Sequence, residues 1–531
     1  MPYVTIIVLL PLAGALAMLL VPPARLPAAR LLALITSGAA VVFSAVLIGV
    51  FDRGAPRIQY RDTLAWAEDV GLAWDVGVDG ISLWLLALTT GLFFLAVAST
   101  AWWTPPRGRA FLGLLLAAEA GLLGLFAASN LVLFYVFWEA MLVPFFFLMA
   151  MWGGTDRGPA TVRFVIYTMA GSLVMLVALL ATAFIAQDIT GQFTFGIPEL
   201  RGVPFSETQS TLLFAGFALA FAIKLPLWPF HGWLPGAYRA APILVTGLLA
   251  AVMSKAGAYG FLRIGLPLFP DGADNFAVPL GILAVIGIIY GSLLAWRAPT
   301  MRMLVGYSSL AHLGFILLGI VAFDLMSAQG AVLQMVNHGI VVAAAFAIVG
   351  IINRGTDGDR IDDVGGMAAG APRLAWVFLI VAMASLAIPG SNSFVGEFFI
   401  LSGVFRQHLW LAVVACIGII YAAVYMLRLY QTSMNDPPHG ADTRKSELQP
   451  RDYLVLVPIL VVMFFIAFWP TGLVGATRAS VERAIAPAQI AAGRSADEIA
   501  RPTVPNPPPS AQPLPGDEQP GPDTPQEGTS P

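Results

Sequence analysis

The sequence predicts an all-α polytopic membrane protein with about fourteen transmembrane helices. Hydrophobic residues make up 58% of the 531-residue chain and charged residues only 11%, whereas about a quarter of the residues in a soluble domain are charged. Uncharged runs of about 20 residues, long enough to cross a bilayer as a helix, recur along most of the chain. Two of these runs carry internal prolines close to a charged side chain, a pattern typical of membrane transporters.

We place the helices in order by dividing the apolar runs where proline, glycine or charge interrupts them. The first run lacks the basic segment of a secretion signal, so we expect it to be retained as a helix. The predicted helices span residues 4–21, 30–50, 80–103, 109–128, 130–151, 163–186, 210–230, 242–268, 277–297, 303–323, 330–353, 373–403, 407–430 and 452–474.

Helices seven and twelve are predicted to be broken. Pro226 and Pro229 interrupt helix seven, and Pro389 with Gly390 interrupts helix twelve, because proline removes a backbone donor and clashes with the preceding turn. Irregular backbone at membrane depth requires contact with protein or water. Since the two breaks lie five helices apart, we predict two inverted five-helix repeats, formed by helices 4–8 and 9–13.

The chain is accordingly divided into five parts. Residues 1–105 form three N-terminal helices, residues 106–270 the first repeat and residues 271–432 the second. Residues 433–500 contain the last transmembrane helix and a short surface segment, for which Ser480–Arg501 could supply a helix. Residues 501–531 are rich in proline and poor in apolar residues, which predicts a disordered tail.

The distribution of basic residues predicts the orientation. Loops that follow odd-numbered helices carry sixteen Lys and Arg residues, and the loops between the other helices carry five. By the positive-inside rule the odd loops lie in the cytoplasm, so both termini lie on the outer face of a bacterial plasma membrane.

Eight ionisable residues in or beside the apolar runs are candidate functional residues. An ionisable side chain at mid-membrane is energetically costly and therefore indicates function. We expect Glu139 to face the bundle interior and to pair with Lys224, the charge next to the break in helix seven. The candidates, in sequence order, are Glu119, Glu139, Lys224, His231, Lys255, His312, His338 and Glu397.

Each candidate also has a structural interpretation. Glu139 and Lys224 could form a clamp between helices, and His231, His312 or His338 could be packing residues with satisfied hydrogen bonds. The order of the group favours proton transfer, because acids, amines and imidazoles succeed one another in consecutive helices. The single cysteine, Cys416, and the lack of clustered Cys or His predict no metal or redox cofactor on this chain. No nucleic-acid partner is expected.

The segments FYVFWEAMLVPFFFLMAMWGG, AIKLPLWPFHGWLPGAY, MSKAGAYGFLRIGLPLFP, GYSSLAHLGF, QMVNHG and GSNSFVGEF resemble the proton-translocating, antiporter-like subunits of respiratory complex I. The resemblance covers about residues 75–430. FWE followed by MLVP, and GVDGIS before the third helix, are similar to the M-type members. Members of the L type would be expected to carry lysine in place of Glu397.

This resemblance implies a proton-translocating subunit of an NADH:quinone oxidoreductase in which partner subunits hold FMN, iron–sulfur clusters and quinone. The neighbours it implies are other membrane subunits, with the L- and N-type antiporter-like chains adjacent. It also implies roles for the residues: Glu139 and Lys224 as the input pair, Lys255 and the two membrane histidines as the relay, and Glu397 as the exit group. Glu119 matches an acid of the family in the fourth helix.

Three other functions remain open from the sequence. The D-type chain of a multisubunit Na⁺/H⁺ antiporter shares the fold and much of the same Glu and Lys layer. A carrier of a small organic solute could use the broken helices as a binding site, although no polar and aromatic cluster at the breaks indicates one. A structural scaffold could use the charges as assembly clamps.

Overall fold

The computed structural model describes residues 1–495 except residues 56, 68–70, 103–104, 357 and 438–441, so the predicted tail at 501–531 lies outside the described residues. Most of the described chain is helical, in agreement with the predicted class. The first half comprises α1 (Tyr3–Ala17), α2 (Leu26–Val50), α3 (Gly80–Ser99), α4 (Gly108–Ala127), α5 (Leu131–Ala140), α6 (Leu142–Trp152), α7 (Arg157–Thr190), α8 (Ile197–Leu200), α9 (Glu207–Lys224), α10 (Leu234–Ala240), α11 (Ile243–Leu248), α12 (Lys255–Gly260) and α13 (Leu266–Leu268).

The second half is also helical and includes the longest buried helix, α16. Its elements are α14 (Pro270–Arg297), α15 (Met301–Val321), α16 (Leu325–Ile352), α17 (Met367–Gly370), α18 (Pro372–Ser385), α19 (Asn392–Gln407), α20 (Leu409–Met434), α21 (Pro450–Phe468) and α22 (Thr471–Ala491). Short 3₁₀ segments lie at Phe230–Trp233, Ile361–Asp363 and Thr443–Ser446.

Eleven helical stretches of the described chain are long and apolar enough to cross a membrane. The other predicted crossings correspond to α1, which has 15 residues, and to the two interrupted helices, whose halves are each short or less apolar. The count of fourteen therefore stays a prediction, as does the pairing of the helices into inverted repeats.

Both predicted interruptions are present. In the first, α9 ends at Lys224 and the chain continues through Phe230–Trp233 into α10. The Trp233 indole nitrogen donates a hydrogen bond to the Ile223 carbonyl at 2.8 Å, which satisfies an acceptor that the break would otherwise leave free at the helix end. In the second, six residues separate α18 from α19, and Ala387 and Gly390 adopt positive φ angles.

A two-stranded antiparallel hairpin, β1 (Gln59–Ala67) and β2 (Leu72–Val78), precedes α3 and was not predicted. Arg61 of β1 forms an ion pair with Asp75 of β2 at 2.8 Å. The hairpin lies in the segment that connects the second and third predicted helices.

The last predicted crossing is shorter than expected, and the helix after it begins earlier. α21 ends at Phe468 and α22 spans Thr471–Ala491, whereas we had expected a membrane helix to residue 474 and a surface helix from Ser480. α22 is amphipathic and packs on the bundle through residues such as Val481 and Ile485, which are buried. The Ser480 hydroxyl accepts a hydrogen bond from the Gly80 amide at the start of α3.

The helices α15, α16 and α19 pack closely because glycines face the contacts. A Cβ at Gly319 of α15 would lie 2.8 Å from the Ser327 carbonyl oxygen of α16, and a Cβ at Gly330 of α16 would lie 2.7 Å from the Ile400 amide of α19. Since any larger residue would force these helices apart, the glycines allow the polar side chains of the three helices to meet.

Candidate functional site

A buried lysine starts a chain of polar contacts. Lys255 begins α12 between two π-helical segments, Leu249–Met253 and Phe261–Gly265; such segments are frequent at functional sites. Its ammonium nitrogen is fully buried and lies 2.6 Å from the Ala250 carbonyl, 3.2 Å from the Ser254 hydroxyl and 2.7 Å from Nδ1 of His338. Three acceptors around one nitrogen match the three donors of a protonated lysine.

The two membrane histidines face each other. His338 of α16 and His312 of α15 have ring centroids 5.3 Å apart, and both are almost completely buried. Nε2 of His338 has no hydrogen-bond partner among the described residues. Both rings line a cavity of about 10 Å³ together with Ser308 and Gln334, which is about the space that one water molecule requires.

The chain of contacts ends at Glu397 of α19. Nδ1 of His312 lies 2.9 Å from Oε1 of Glu397, and the Gln334 amide donates to the same oxygen at 3.0 Å. The helix break before α19 is attached to α16, because the Asn337 amide donates to the Asn392 carbonyl at 2.7 Å and receives a hydrogen bond from the Asn392 side chain at 3.2 Å. These contacts fix the position from which Glu397 reaches the histidines.

The expected pairing of Glu139 with Lys224 is not found. The Lys224 nitrogen has no hydrogen-bond partner in the described part of the chain and lies over the Trp138 ring, 4.7 Å from its centroid, as in a cation–π contact. Glu139 follows Trp138 on α5 but is partly exposed at the edge of the bundle. Glu139 is therefore less buried than expected, because successive residues of a helix point about 100° apart and its neighbour Trp138 takes the buried position.

Glu119 and His231 lie apart from the central chain of contacts. Glu119 of α4 is fully buried and accepts one hydrogen bond, from the Ser37 hydroxyl of α2 at 3.3 Å. His231, in the 3₁₀ segment after α9, is half-buried and packs edge to face against Tyr290 with ring centroids 5.2 Å apart. The eight candidates thus separate into one connected group of four, Lys255, His338, His312 and Glu397, and four individual residues.

Several residues around this group were missed from the sequence. Gln334 and Ser254 contact its members, and Asn337 attaches the helix break before α19. All three are uncharged, so they do not stand out within apolar runs. Arg263 was also missed, although it is charged and lies in a predicted membrane helix; it forms a buried ion pair with Asp79 at 2.8 Å. Because burying an arginine in a membrane helix is energetically costly, the position of Arg263 alone could have indicated a buried acidic partner.

A helical membrane bundle with two interrupted helices and a buried Lys–His–His–Glu chain of contacts belongs to the class of membrane proteins built for ion or proton transfer. The family described as NADH:quinone oxidoreductase/Mrp antiporter, TM, matches residues 128–421. The chain belongs to this family, as the sequence motifs indicated.

Relatives narrow the similarity within the family. NADH-quinone oxidoreductase subunit M of Rhodobacter capsulatus is 36% identical over 480 residues, which cover 88% of this chain and 93% of the relative. A chain of respiratory complex I from Thermus thermophilus has a TM-score of 0.82 at 30% identity, covering 92% of this chain and 99% of that chain. The predicted resemblance to the M-type members is confirmed by these similarities.

A chain of the Mrp complex from Dietzia sp. DQ12-45-1b has a TM-score of 0.80 at 20% identity, with 93% of this chain and 99% of that chain covered. At this identity the likeness shows a shared fold. The antiporter alternative therefore gains no functional support from it and is less favoured than membership of a complex I.

Proposed function

We propose that this chain is the M-type membrane subunit of a bacterial NADH:quinone oxidoreductase and that it translocates protons through Lys255, His338, His312 and Glu397. The observation that carries the proposal is a pair of close contacts: the Lys255 nitrogen lies 2.7 Å from Nδ1 of His338, and Nδ1 of His312 lies 2.9 Å from Oε1 of Glu397. A one-water cavity between the imidazoles supplies the middle connection.

The hydrogen bonds favour one arrangement of protons. A protonated Lys255 donates to Nδ1 of His338, so the hydrogen of this neutral imidazole is on Nε2. An ionised Glu397 accepts from Nδ1 of His312, so Nε2 of His312 is free to accept. A water in the cavity can take a hydrogen bond from His338 and donate one to His312. Each hydrogen bond from Lys255 through His338, the water and His312 to Glu397 then has one donor and one acceptor, and all of them point toward Glu397.

One proton equivalent can pass from Lys255 to Glu397 along this arrangement while the side chains stay in place. Lys255 gives a proton to Nδ1 of His338, while the Nε2 proton passes through the water to His312 and the Nδ1 proton of His312 passes to Glu397. Lys255 becomes neutral and Glu397 becomes a neutral acid. Each imidazole ends with one proton, on the opposite nitrogen, and must turn or pass a further proton to restore its first state.

Lys224 is the group that returns a proton to Lys255 after each transfer. The helices that carry them pack closely, since a Cβ at Gly257 would overlap the Phe221 carbonyl oxygen and approach Leu225 to 2.9 Å. Lys224 lacks a hydrogen-bonded counter-ion, whereas Glu139 lies at the edge of the bundle. A neighbouring subunit can therefore approach Glu139 directly and alter the electrostatic field at Lys224 without entering this chain.

The same proposal includes the surroundings of the chain. The L- and N-type antiporter-like subunits lie beside it, both termini lie on the outer face of the plasma membrane, and partner subunits hold the FMN, iron–sulfur clusters and quinone. The basic residues between the helices support this orientation. Electron transfer in the partner subunits then acts on this chain only through changes in the electrostatic field and in conformation. The enzymatic activity belongs to the whole NADH:quinone oxidoreductase.

The test uses the whole complex in membrane vesicles, with NADH oxidation and proton uptake measured together. Lys255→Met keeps an unbranched apolar side chain of nearly the same length and removes the charge, so we expect an assembled complex whose NADH-driven proton pumping is strongly reduced. Lys445→Met is the matched control, because Lys445 is exposed and, among the described residues, forms its ion pair with Asp442 three residues earlier. Unchanged pumping in assembled Lys255→Met complexes would exclude Lys255 from the path. Copurification of flavin and iron–sulfur subunits separates complex I from an antiporter.

A further inference from the structure

A cleft opens between α3, α11, α16 and α21, away from the Lys–His–His–Glu chain. Its volume is about 590 Å³, within the range of sites for small organic ligands. Leu92, Leu95 and Ala96 of α3 form one wall, and the opposite walls are equally apolar. They comprise Ile243, Leu244, Gly247 and Leu248 of α11, Ala343, Phe346, Ala347 and Gly350 of α16, and Val455, Leu456 and Ile459 of α21.

Arginines line one end of the cleft, which we call the basic rim: Arg302, Arg354 and Arg451. Arg354 is neutralised by Asp452 through paired hydrogen bonds. Arg302 lies 3.3 Å from Asp359 and also donates to the carbonyl of Ala241.

Arg451 differs from the other two arginines. No carboxylate or carbonyl contact of Arg451 is present in the described chain, and its side chain is only partly exposed. Within the described residues, the basic rim therefore has one guanidinium group without a carboxylate partner.

Two tryptophans lie at the same rim. Trp102 is 39% exposed, and Trp152 is half-buried beside it in the cleft lining. Tryptophan and arginine together are typical of the level at which lipid headgroups meet the hydrocarbon core. The helix ends at this rim follow odd-numbered crossings, so the rim lies on the predicted cytoplasmic side, where basic pockets between helices bind anionic headgroups.

We propose that the cleft holds one phospholipid with an anionic headgroup, whose phosphate pairs with Arg451 and whose acyl chain lies between α3, α16 and α21. The charge of the rim is complementary to an anion and the walls are complementary to hydrocarbon.

The position of this lipid gives it a structural role. It packs on a different face of α16 from His338 and on α11, which leads into the π-helical segment before Lys255. A Cβ at Gly339 of α16 would lie 2.8 Å from the Ala251 carbonyl oxygen, so these helices already contact each other closely. A bound acyl chain completes the packing behind them. The inference does not rest on the proposed proton path, since lipid content is measured independently of pumping.

The experiment uses the whole complex, reconstituted in vesicles of equal phosphatidylglycerol and phosphatidylethanolamine, then solubilised, washed with detergent and analysed for retained phospholipid. Arg451→Gln should weaken retention of phosphatidylglycerol about fivefold without changing phosphatidylethanolamine. Ala347→Phe, which fills the apolar wall, should displace the lipid whatever its headgroup. Arg163→Gln and Ala170→Phe are matched controls at exposed positions of α7 outside the cleft, and both should retain lipid as the unmodified complex does.

Two results would overturn the proposal. Equal phosphatidylglycerol retention in Arg451→Gln and Arg163→Gln complexes would exclude an anionic headgroup at the rim. Unchanged lipid content in Ala347→Phe complexes, or a helix of a neighbouring subunit seen in the cleft by electron cryo-microscopy, would exclude a lipid tail there. Copurification of the variant chain with its partner subunits verifies that each variant folds and assembles.

Discussion

The ammonium nitrogen of Lys255 lies 2.7 Å from Nδ1 of His338, and no carboxylate of the described residues lies in hydrogen-bonding contact with that nitrogen. A buried lysine whose neighbours are a carbonyl, a hydroxyl and an imidazole has no counter-ion to hold its proton in place. Of these three neighbours, only the imidazole can bind a proton near neutral pH, so the proton of Lys255 can leave along its contact with His338.

The imidazole of His338 is predicted to be required for transfer. His338→Gln keeps an amide that can accept from Lys255, but an amide cannot bind a proton and release one from its other end at neutral pH. We expect proton transfer through this chain to fall about 100-fold or more, measured as NADH-driven acidification in vesicles. His408→Gln, at the junction of α19 and α20, is the control and should pump normally. Normal pumping by His338→Gln would show that the path bypasses α16.

The carboxylate of Glu397 is predicted to be required for proton pumping because it accepts a proton, and to contribute less through its packing. Glu397→Gln preserves volume and a hydrogen bond to His312 but cannot accept a proton from it. We expect assembly to be retained and proton pumping to be strongly reduced. Gln334→Leu, which removes only the neutral donor to the same oxygen, should have a smaller effect, and the reverse order of the two variants would contradict the assigned roles.

The hydrogen bonds between Asn337 and Asn392 are predicted to hold the second helix break against α16. Asn392→Ala removes the side-chain hydrogen bond and should destabilise the complex by about 1 kcal/mol, while Asn337→Ala also leaves the Asn392 carbonyl without its donor and should cost more, about 1–3 kcal/mol. Thermal unfolding of the detergent-solubilised complex measures both. In the double variant the losses should be less than additive, because the two side chains share one bond.

The buried pair of Arg263 and Asp79 is predicted to be structural. Arg263→Met leaves a buried carboxylate without its closest cation and should cost about 3–5 kcal/mol, seen as loss of the assembled complex. Arg483→Met is the control, because its guanidinium is 29% exposed and lies 3.9 Å from the same carboxylate; its cost should be below about 1 kcal/mol. Equal losses would mean that the outer arginine carries the interaction.

The close packing of α9 on α12 is predicted to depend on a glycine. Gly257→Ala introduces a Cβ that would overlap the Phe221 carbonyl oxygen, so the two lysine-bearing helices must separate at a cost of about 1–3 kcal/mol. We expect slower proton pumping together with lower thermal stability. Gly91→Ala on α3 meets no atom within 4 Å and should alter neither measurement.

The connected group of Lys255, His338, His312 and Glu397 could be predicted because ionisable residues are rare in apolar runs. Both helix breaks could be predicted because proline interrupts a continuous helix. Glu139 was misplaced because its helix is apolar on every side, so the sequence does not reveal which side faces the bundle. Gln334 and Asn337 were missed because uncharged amides are inexpensive enough to occur in many membrane helices. The β-hairpin was missed because two short strands between helices have the composition of a polar connection.

Two π-helical segments flank Lys255 and determine the direction in which its side chain points. Each wide turn accommodates one residue more than an α-helical turn, which rotates everything beyond it by about 100° relative to a regular helix. If Leu249–Met253 formed regular α-helical turns with the same residues, Lys255 would point about 100° away from its present direction and would lose its contact with His338. The wide turn, as well as the lysine itself, therefore determines that Lys255 reaches His338.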